Sequence, residues 1–487
     1  MIRLLFFALC ACMSCTQDAV VLSIDRDLMA FSSEGGEQTL VVISSDAVSA
    51  MPEDDWVNVE KGMKEGNRTA IKISVQPNPT TSERVTRVSV LAGRERKHVK
   101  ISQAAGSFQD GTLSGQLPSG LGLGWNLGNH FDAYNNAVSA EDAWGNPKAT
   151  QATFHKVKAA GFNSVRIPVT WLGHIGAAPD YKIQDAWLDR VAEVVGYAEK
   201  AGLYAIVNIH HDGADSKYWL DIKAAAKDPA VQKRTLEQIE AVWTQIAMKF
   251  KDKGDFLILE GFNEIHDGGW GWGENRSDGG KQYRCMNEWN QAFVDAVRST
   301  GGNNSDRYLG VPAYCTNVDI AIDSFEMPAD SAKDRLMLAV HCYDPYLYTL
   351  EAQYSEWGHT AEASKKLKGD NEADLKSVFV KLYDNYVSKG IPVYMGEFGC
   401  VNREGSRAQA FQQYYLRYYA KLARTYGVPA LIWDNGASGA GRERHAFIDH
   451  GTGEFCSEEA EAAMKALVDS YNDGLTLEQV YNNAPKF

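Results

Sequence analysis

The sequence predicts an α/β protein in which a (β/α)8 TIM barrel follows a small β-sandwich, and three observations carry that expectation. From residue 118 onward, eight apolar runs of strand length alternate with stretches whose apolar residues recur at three and four. Before residue 104 the texture is different, with short alternating runs rich in Val, Ser and Thr between polar turns. A Gly/Ser-containing stretch over residues 105–117 separates the two. At 487 residues and 44% hydrophobic, the chain is long enough for more than one core.

The chain opens with Met1-Ile2-Arg3 and the apolar Leu4-Leu5-Phe6-Phe7-Ala8-Leu9, a basic-then-apolar export signal too brief to span a bilayer as a helix. Leu9-Cys10-Ala11-Cys12 resembles the lipobox of bacterial lipoproteins. That resemblance makes Cys12 the expected lipidated residue, with Cys15 the alternative, and residues 1–17 the signal peptide and anchor region. The mature protein is then expected outside the cytoplasm, lipid-anchored on an outer membrane and facing the cell surface. The remaining cysteines, Cys285, Cys315, Cys342, Cys400 and Cys456, are scattered singly, so neither a disulfide framework nor a zinc knuckle is expected and most should be buried thiols. A formal net charge of -14 argues against a nucleic-acid partner. A neutral polymer would be indifferent to it.

Residues 18–104 contain Thr39-Leu40-Val41-Val42-Ile43, Ala70-Ile71-Lys72-Ile73-Ser74-Val75 and Val85-Thr86-Arg87-Val88-Ser89-Val90, separated by turns such as Pro77-Asn78-Pro79-Thr80. Short strands at this spacing indicate an antiparallel sandwich. The order of Asp55-Trp56-Val57, the Ile71 strand, Arg84 and the closing Val99-Lys100-Ile101-Ser102-Gln103 resembles the BACON domain, an immunoglobulin-like module of Bacteroidetes glycan-degrading proteins. The resemblance implies carbohydrate binding, and a spacer between anchor and barrel is an equal reading. Trp56 is expected in the core rather than on a sugar platform.

Residues 118–487 carry the barrel. Strands are expected near Leu123 to Asn126, Ser164 to Val169, Tyr204 to His210, Phe256 to Glu264, Arg307 to Ala313, Leu336 to Tyr343, Val393 to Phe398 and Ala430 to Asp434. Helices are expected over Gln151 to Ala160, Ala186 to Ala201, Lys233 to Lys249 and Ala408 to Tyr426. Barrel chemistry occurs at the C-terminal rim of the strands, so polar residues at the ends of apolar runs are the candidates.

Two glutamates stand out on that test. Glu264, in Phe262-Asn263-Glu264, follows Phe256-Leu257-Ile258-Leu259, and Glu397, in Gly396-Glu397-Phe398-Gly399, follows Pro392-Val393-Tyr394-Met395. Asn287-Glu288 and Asn371-Glu372 lack such a preceding run. A pair of carboxyl groups from separate strands is the minimum equipment for cleaving a glycosidic bond. Arg166 interrupts an apolar strand and would hold a nearby carboxylate ionised. His210 and His211 close the third run and should face opposite ways, His341 and Tyr343 should face the same way, and Trp433 ends the eighth.

These residues, with Gly124-Trp125-Asn126-Leu127-Gly128-Asn129, Trp144-Gly145-Asn146-Pro147, Lys158-Ala159-Ala160-Gly161-Phe162 and Trp433-Asp434-Asn435-Gly436, resemble subfamily 4 of glycoside hydrolase family 5, retaining endo-acting β-glycanases. The resemblance implies Glu264 as acid/base, Glu397 as nucleophile, Asn263 on the sugar 2-hydroxyl, and Arg166 and Tyr343 positioning the nucleophile. His210 and His341 would line the subsite where the bond breaks, with Trp433 as its floor. It implies an endo-β-1,4-glucanase acting on cellulosic, mixed-linkage or xyloglucan chains, without metal or cofactor, as a monomer. A xyloglucan-specific enzyme or a mannanase of the same fold is the alternative. The pattern departs from the subfamily at His130-Phe131 and in the glycine-rich stretch from Gly268 to Gly280, which carries Trp270 and Trp272. These two, with Trp219, would either stack on sugars or pack inside their loops. Two other classes compete: a metal-dependent hydrolase using His210, His211, Asp212 and His341, and a non-catalytic surface protein that binds glycan.

Overall fold

The structure is a computed structural model that describes residues 21–106, 117–118, 120–213, 218–369 and 371–487. Cys12, Cys15 and most of the 105–117 stretch lie outside the described residues. The chain divides into two compact units, one on each side of residue 108 in the sequence.

The first unit is a sandwich of two four-stranded sheets. Its strands are β1 (Leu22–Ile24), β2 (Leu28–Phe31), β3 (Gly36–Ser44), β4 (Val48–Pro52), β5 (Val57–Glu65), β6 (Arg68–Val75), β7 (Arg84–Ala92) and β8 (Glu95–Gln103), ordered β1-β3-β6-β5 and β2-β8-β7-β4. The alternation read in the sequence decides what faces inward. Along β6, Thr69, Ile71, Ile73 and Val75 are buried while their neighbours are not, and the last three join Leu40, Val42, Val88, Val90, Val99 and Ile101 in one core. Trp56 packs half-buried against that core, and the Arg84 guanidinium sits 4.3 Å over its ring. Trp56 thus packs against the core rather than within it, with a cation over its ring.

The second unit closes eight parallel strands into a barrel, Leu123–Leu127, Ser164–Ile167, Tyr204–Asn208, Leu257–Glu260, Leu309–Asn317, Leu336–His341, Val393–Phe398 and Ala430–Asp434. All eight expected strands are present, and several boundaries are corrected. The second, third and fourth end at Ile167, Asn208 and Glu260, short of the expected Val169, His210 and Glu264. Val169, Ile209 and Phe262 are fully buried, so the apolar run continues as packed loop after the ladder stops. Val169 N–H, for example, donates to the Asn208 side chain at 3.1 Å instead of to a strand. The fifth strand runs past Ala313 to Asn317 through Cys315 and Thr316, both with positive φ, where its register shifts.

The helices match their periodic stretches, with Pro229–Lys249 beginning earlier than expected because Asp228 caps it and Pro229 occupies its first turn. Cys285, Cys315, Cys342 and Cys400 are buried free thiols, and Cys456 is exposed.

Two of the sequence motifs serve to lock the rim. The Asp434 carboxylate accepts hydrogen bonds from Trp125 Nε1 at 2.9 Å and from the backbone of Phe447 and Ile448. Asn146 Nδ2 donates to the carbonyls of Asn129 and Asn435, tying the loops after the first and eighth strands together. Gly436 sits at φ 68° with the position of a would-be Cβ 1.9 Å from Asn146 Oδ1, so only glycine permits that junction.

Candidate active site

Arg166, fully buried on the second barrel strand, organises the rim. Its Nε and Nη2 fork onto Glu260 at 3.0 and 2.7 Å, Nη1 donates to Glu397 Oε1 at 2.7 Å and to Asn126 Oδ1 at 3.1 Å, and Nη2 also reaches Asn263 Oδ1 at 2.7 Å. All five guanidinium hydrogens have acceptors, as burial demands. Glu260 escaped the sequence reading, which ran the fourth strand on to Glu264. It accepts further bonds from Asn208 Nδ2 at 2.8 Å and Tyr394 Oη at 2.5 Å. Burial pushes its carboxyl up, but the Arg166 charge and these donors outweigh that and hold it below the usual range. The signal was available: Glu260 interrupts an apolar run as Arg166 does, and it sits level with Asn208 on the neighbouring strand.

Glu397, near the end of the seventh strand, is fixed from two sides. Oε1 takes the Arg166 bond, and Oε2 accepts from Tyr343 Oη at 2.8 Å. Both bonds fix the orientation of its carboxylate. Asn263, whose amide oxygen is held by Arg166, has its amide nitrogen left for another acceptor.

Glu264 lies four residues beyond the fourth strand, and its surroundings are unlike those of Glu397. His341 Nδ1 lies 2.7 Å from Glu264 Oε1, and burial raises the Glu264 carboxyl to about 7. Burial also pulls His341 down to about 4, so the imidazole beside Glu264 is neutral at pH 7 and makes no ion pair there. An oxygen of Glu264, an oxygen of Glu397 and a nitrogen of His341 lie within 4.8 Å of one another. One acid that keeps its proton near neutrality thus stands beside a second held by a cation, the arrangement that divides acid work from nucleophilic work.

His210 and Trp433 complete the floor, with rings parallel to within 2° and centroids 6.1 Å apart. Asn208 Nδ2 faces His210 Nδ1 at 3.1 Å, which leaves Nε2, 4.0 Å from Glu397, to carry the proton. His211 does not point away from His210 as expected: their centroids are 4.4 Å apart and both line the cavity. The alternation rule fails because the strand has already ended at Asn208. Asp212 turns elsewhere, accepting from Trp171 N–H and from Trp219 Nε1 at 2.8 and 2.7 Å, which also ties Trp219 into its own loop. His210 and His211 come within 4.8 Å of Asp132 instead. Both Asp132 oxygens accept backbone amides, from Asn129 and His130, so its lone pairs serve a turn.

These side chains open into a cavity of about 980 Å³ that Trp144, Trp270, Trp272 and Tyr346 also line. The volume fits several sugar rings, and the lining combines aromatic side chains with the two carboxyls.

Comparison with known proteins follows the same outline. The cellulase family model, glycosyl hydrolase family 5, matches residues 128–439, and the BACON model, an N-terminal domain, matches residues 46–104. A solved GH5-4 broad specificity endoglucanase from Bacteroides salanitronis is 52% identical, with TM-score 0.72 over 75% of this chain and 97% of that one. A Bacteroides ovatus GH5 xyloglucanase in complex with a XXXG heptasaccharide is 29% identical, with TM-score 0.64 over 93% of this chain and 100% of that one. Endoglucanase A of Paenibacillus barcinonensis is 35% identical across 69% of this chain and 86% of its own length.

Since the ionised form of Glu260 is favoured by folding, Glu260→Gln should lower the unfolding free energy by about 3 kcal/mol, as breaking a buried pair does. Urea denaturation measures it. An unchanged midpoint would show that Arg166 does not depend on its second carboxylate.

Proposed function

Because the chain belongs to the cellulases of glycosyl hydrolase family 5, we propose that it is a retaining endo-β-1,4-glucanase that cuts cellulosic, mixed-linkage or xyloglucan chains. The observation that carries this reading is the approach of Glu264 and Glu397 to within 4.8 Å, oxygen to oxygen. Retaining pairs stand about 5–5.5 Å apart between carboxyl groups, whereas inverting pairs leave about 6.5–9.5 Å for a water.

In the proposed reaction Glu397 attacks the anomeric carbon while Glu264 gives its proton to the departing glycosidic oxygen, forming a glycosyl-enzyme ester. Loss of the charge on Glu397 removes a like charge from beside Glu264 and favours its ionised form. Glu264 then takes a proton from water, whose oxygen attacks the anomeric carbon, and Glu397 leaves as carboxylate. Arg166 and Tyr343 hold Glu397 in line, and the free amide nitrogen of Asn263 is suited to the 2-hydroxyl of the reacting sugar. His341 orients Glu264, His210 lines the same subsite, and Trp433 supports the ring. Every step is balanced by protein groups and water.

A preference for xyloglucan is the second reading. It is supported by the match to the Bacteroides ovatus xyloglucanase over the whole of that chain. The leader Met1 to Leu9 and the Leu9-Cys10-Ala11-Cys12 box support export and lipid attachment at Cys12, on an outer membrane with the enzyme facing outward. The BACON domain would then stand between anchor and barrel.

Reducing-sugar release from carboxymethylcellulose, barley glucan, xyloglucan and mannan should be seen on one or more of the first three and vanish in Glu397→Ala. Release from mannan alone would refute the glucanase reading. Glu264 must be protonated to act first, so the rate should fall as pH rises through about 7. A rate still climbing at pH 9 would remove Glu264 from the acid role. A fatty-acid label should enter the full-length protein and be lost in Cys12→Ser. Full labelling of that variant would exclude Cys12.

A further inference from the structure

The fifth barrel strand breaks its ladder beside Glu264. Pro312 pairs with Ala339 and Asn317 with His341, so Ala313, Tyr314, Cys315 and Thr316 stand opposite Val340 alone. The surplus is taken up at Cys315 and Thr316, whose φ angles are 53° and 47°. Left-handed backbone is ordinary for glycine and costly for a β-branched residue, so a threonine there is held by its surroundings. Cys315 N–H donates to the carbonyl of Ile265, the residue after Glu264, at 2.9 Å. Tyr314 Oη accepts from Asp267 N–H at 3.1 Å and donates to Gln282 Oε1 at 2.7 Å, while the Asn317 side chain caps the helix that follows. The bulge is thus tied on one side to the loop that carries Glu264. On the other it is level with His341, whose Nδ1 lies 2.7 Å from Glu264.

Glycine would relieve the backbone at position 316, and what threonine adds is a hydroxyl. That group has one hydrogen to give and two acceptors within reach. It lies 2.7 Å from the Cys315 carbonyl and also makes a hydrogen bond with the Glu264 carboxyl. While Glu264 keeps its proton, the carbonyl competes well for the Thr316 hydrogen. Once Glu264 is ionised its carboxylate is the stronger acceptor, because a charged partner roughly doubles such a bond. Thr316 is 1% exposed, so it meets no substrate and acts only through Glu264.

We infer that Thr316 is a positioning residue for the acid, its hydroxyl turning from the Cys315 carbonyl to the Glu264 carboxylate when that group gives up its proton. The turn moves no proton between residues. Glu264 passes its own proton to the leaving oxygen, Thr316 keeps its hydrogen and changes acceptor, and the turn reverses when Glu264 takes a proton from water. The other groups around Glu264 form a fixed background to this change. Arg166 and His266 favour the ionised acid through charge, and Glu397 and Glu443 bring like charge near it. Burial keeps the His341 imidazole neutral and the Tyr343 phenol and Cys315 thiol protonated. The left-handed backbone at Cys315 and Thr316 is what brings the hydroxyl to the acid.

This inference rests on the reading of Glu264 as acid/base, and the test separates the two. The full chain, isotope-labelled at its glutamate carboxyl carbons, is titrated by NMR, with Glu264→Gln identifying the Glu264 signal; kcat/KM on cellohexaose is followed against pH alongside. Thr316→Val keeps the shape and branching without the hydroxyl. It should raise the Glu264 midpoint by about one pH unit, as loss of a hydrogen bond to a charged group implies. The alkaline limb of kcat/KM should move up with it, because the acid then holds its proton to higher pH. Thr316→Ser, which keeps the hydroxyl, should return both to wild type. A valine midpoint equal to that of wild type overturns the inference. A serine midpoint displaced as far as that of valine also overturns it, since shape rather than the hydroxyl would be the cause. Should the valine variant not fold, Thr316→Ala takes its place in the same comparison with serine. A midpoint that moves while the limb stays still upholds the hydrogen bond and sinks the acid role of Glu264.

Discussion

One buried cation facing two buried carboxylates is the constraint on which the rim of the barrel depends. Arg166 bonds Glu260 and Glu397 at once, and its hydrogens also reach Asn126 and Asn263. A single positive charge does not neutralise two negative ones, and the remainder is spread over the neutral donors Tyr394, Asn208 and Tyr343. The net burial penalty is thereby shared among the second, third, fourth and seventh strands and the segment just after the sixth, and their ends are held in one geometry. Glu260 takes the fork of Nε and Nη2, so that Arg166 presents a fixed Nη1–H to Glu397.

The second requirement is that neighbouring glutamates differ. Glu397 has a guanidinium and a phenol; Glu264 has a neutral imidazole, and burial lifts it to about 7. His341 mediates between them, 2.7 Å from Glu264 and 3.8 Å from Glu397, and its own low basicity keeps it from supplying a charge that would ionise Glu264. Environment divides the roles, as expected for paired acids that do different work. Under the proposed mechanism this difference exists before substrate arrives.

Much of this was legible because barrel strands announce themselves. A parallel strand buried on both faces reads as an unbroken apolar run, so Arg166, Glu397, His341 and Trp433 stood out as interruptions. The strand ends were less legible, since Val169, Ile209 and Phe262 remain buried after the ladder stops, and hydrophobicity does not distinguish a strand from a packed loop. That same ambiguity hid Glu260, absorbed into a run taken to end at Glu264, and misdirected His211, whose orientation is set by a loop. Asn126 and Asn208 act by bonding partners hundreds or tens of residues away, which no local pattern records. The exposed Trp270 and Trp272 were visible as residues, but whether they are buried or exposed depended on how Asp267 folds the turn.

The most direct test is trapping the glycosyl-enzyme with an activated 2-deoxy-2-fluoro cellotrioside, whose fluorine slows both steps while its leaving group restores the first, followed by peptide mass spectrometry. A stoichiometric adduct on Glu397 is expected, lost in Glu397→Ala and formed poorly in Arg166→Met. An adduct on Glu264 or Glu260, or cleavage of natural substrate with inverted anomeric configuration, would contradict it.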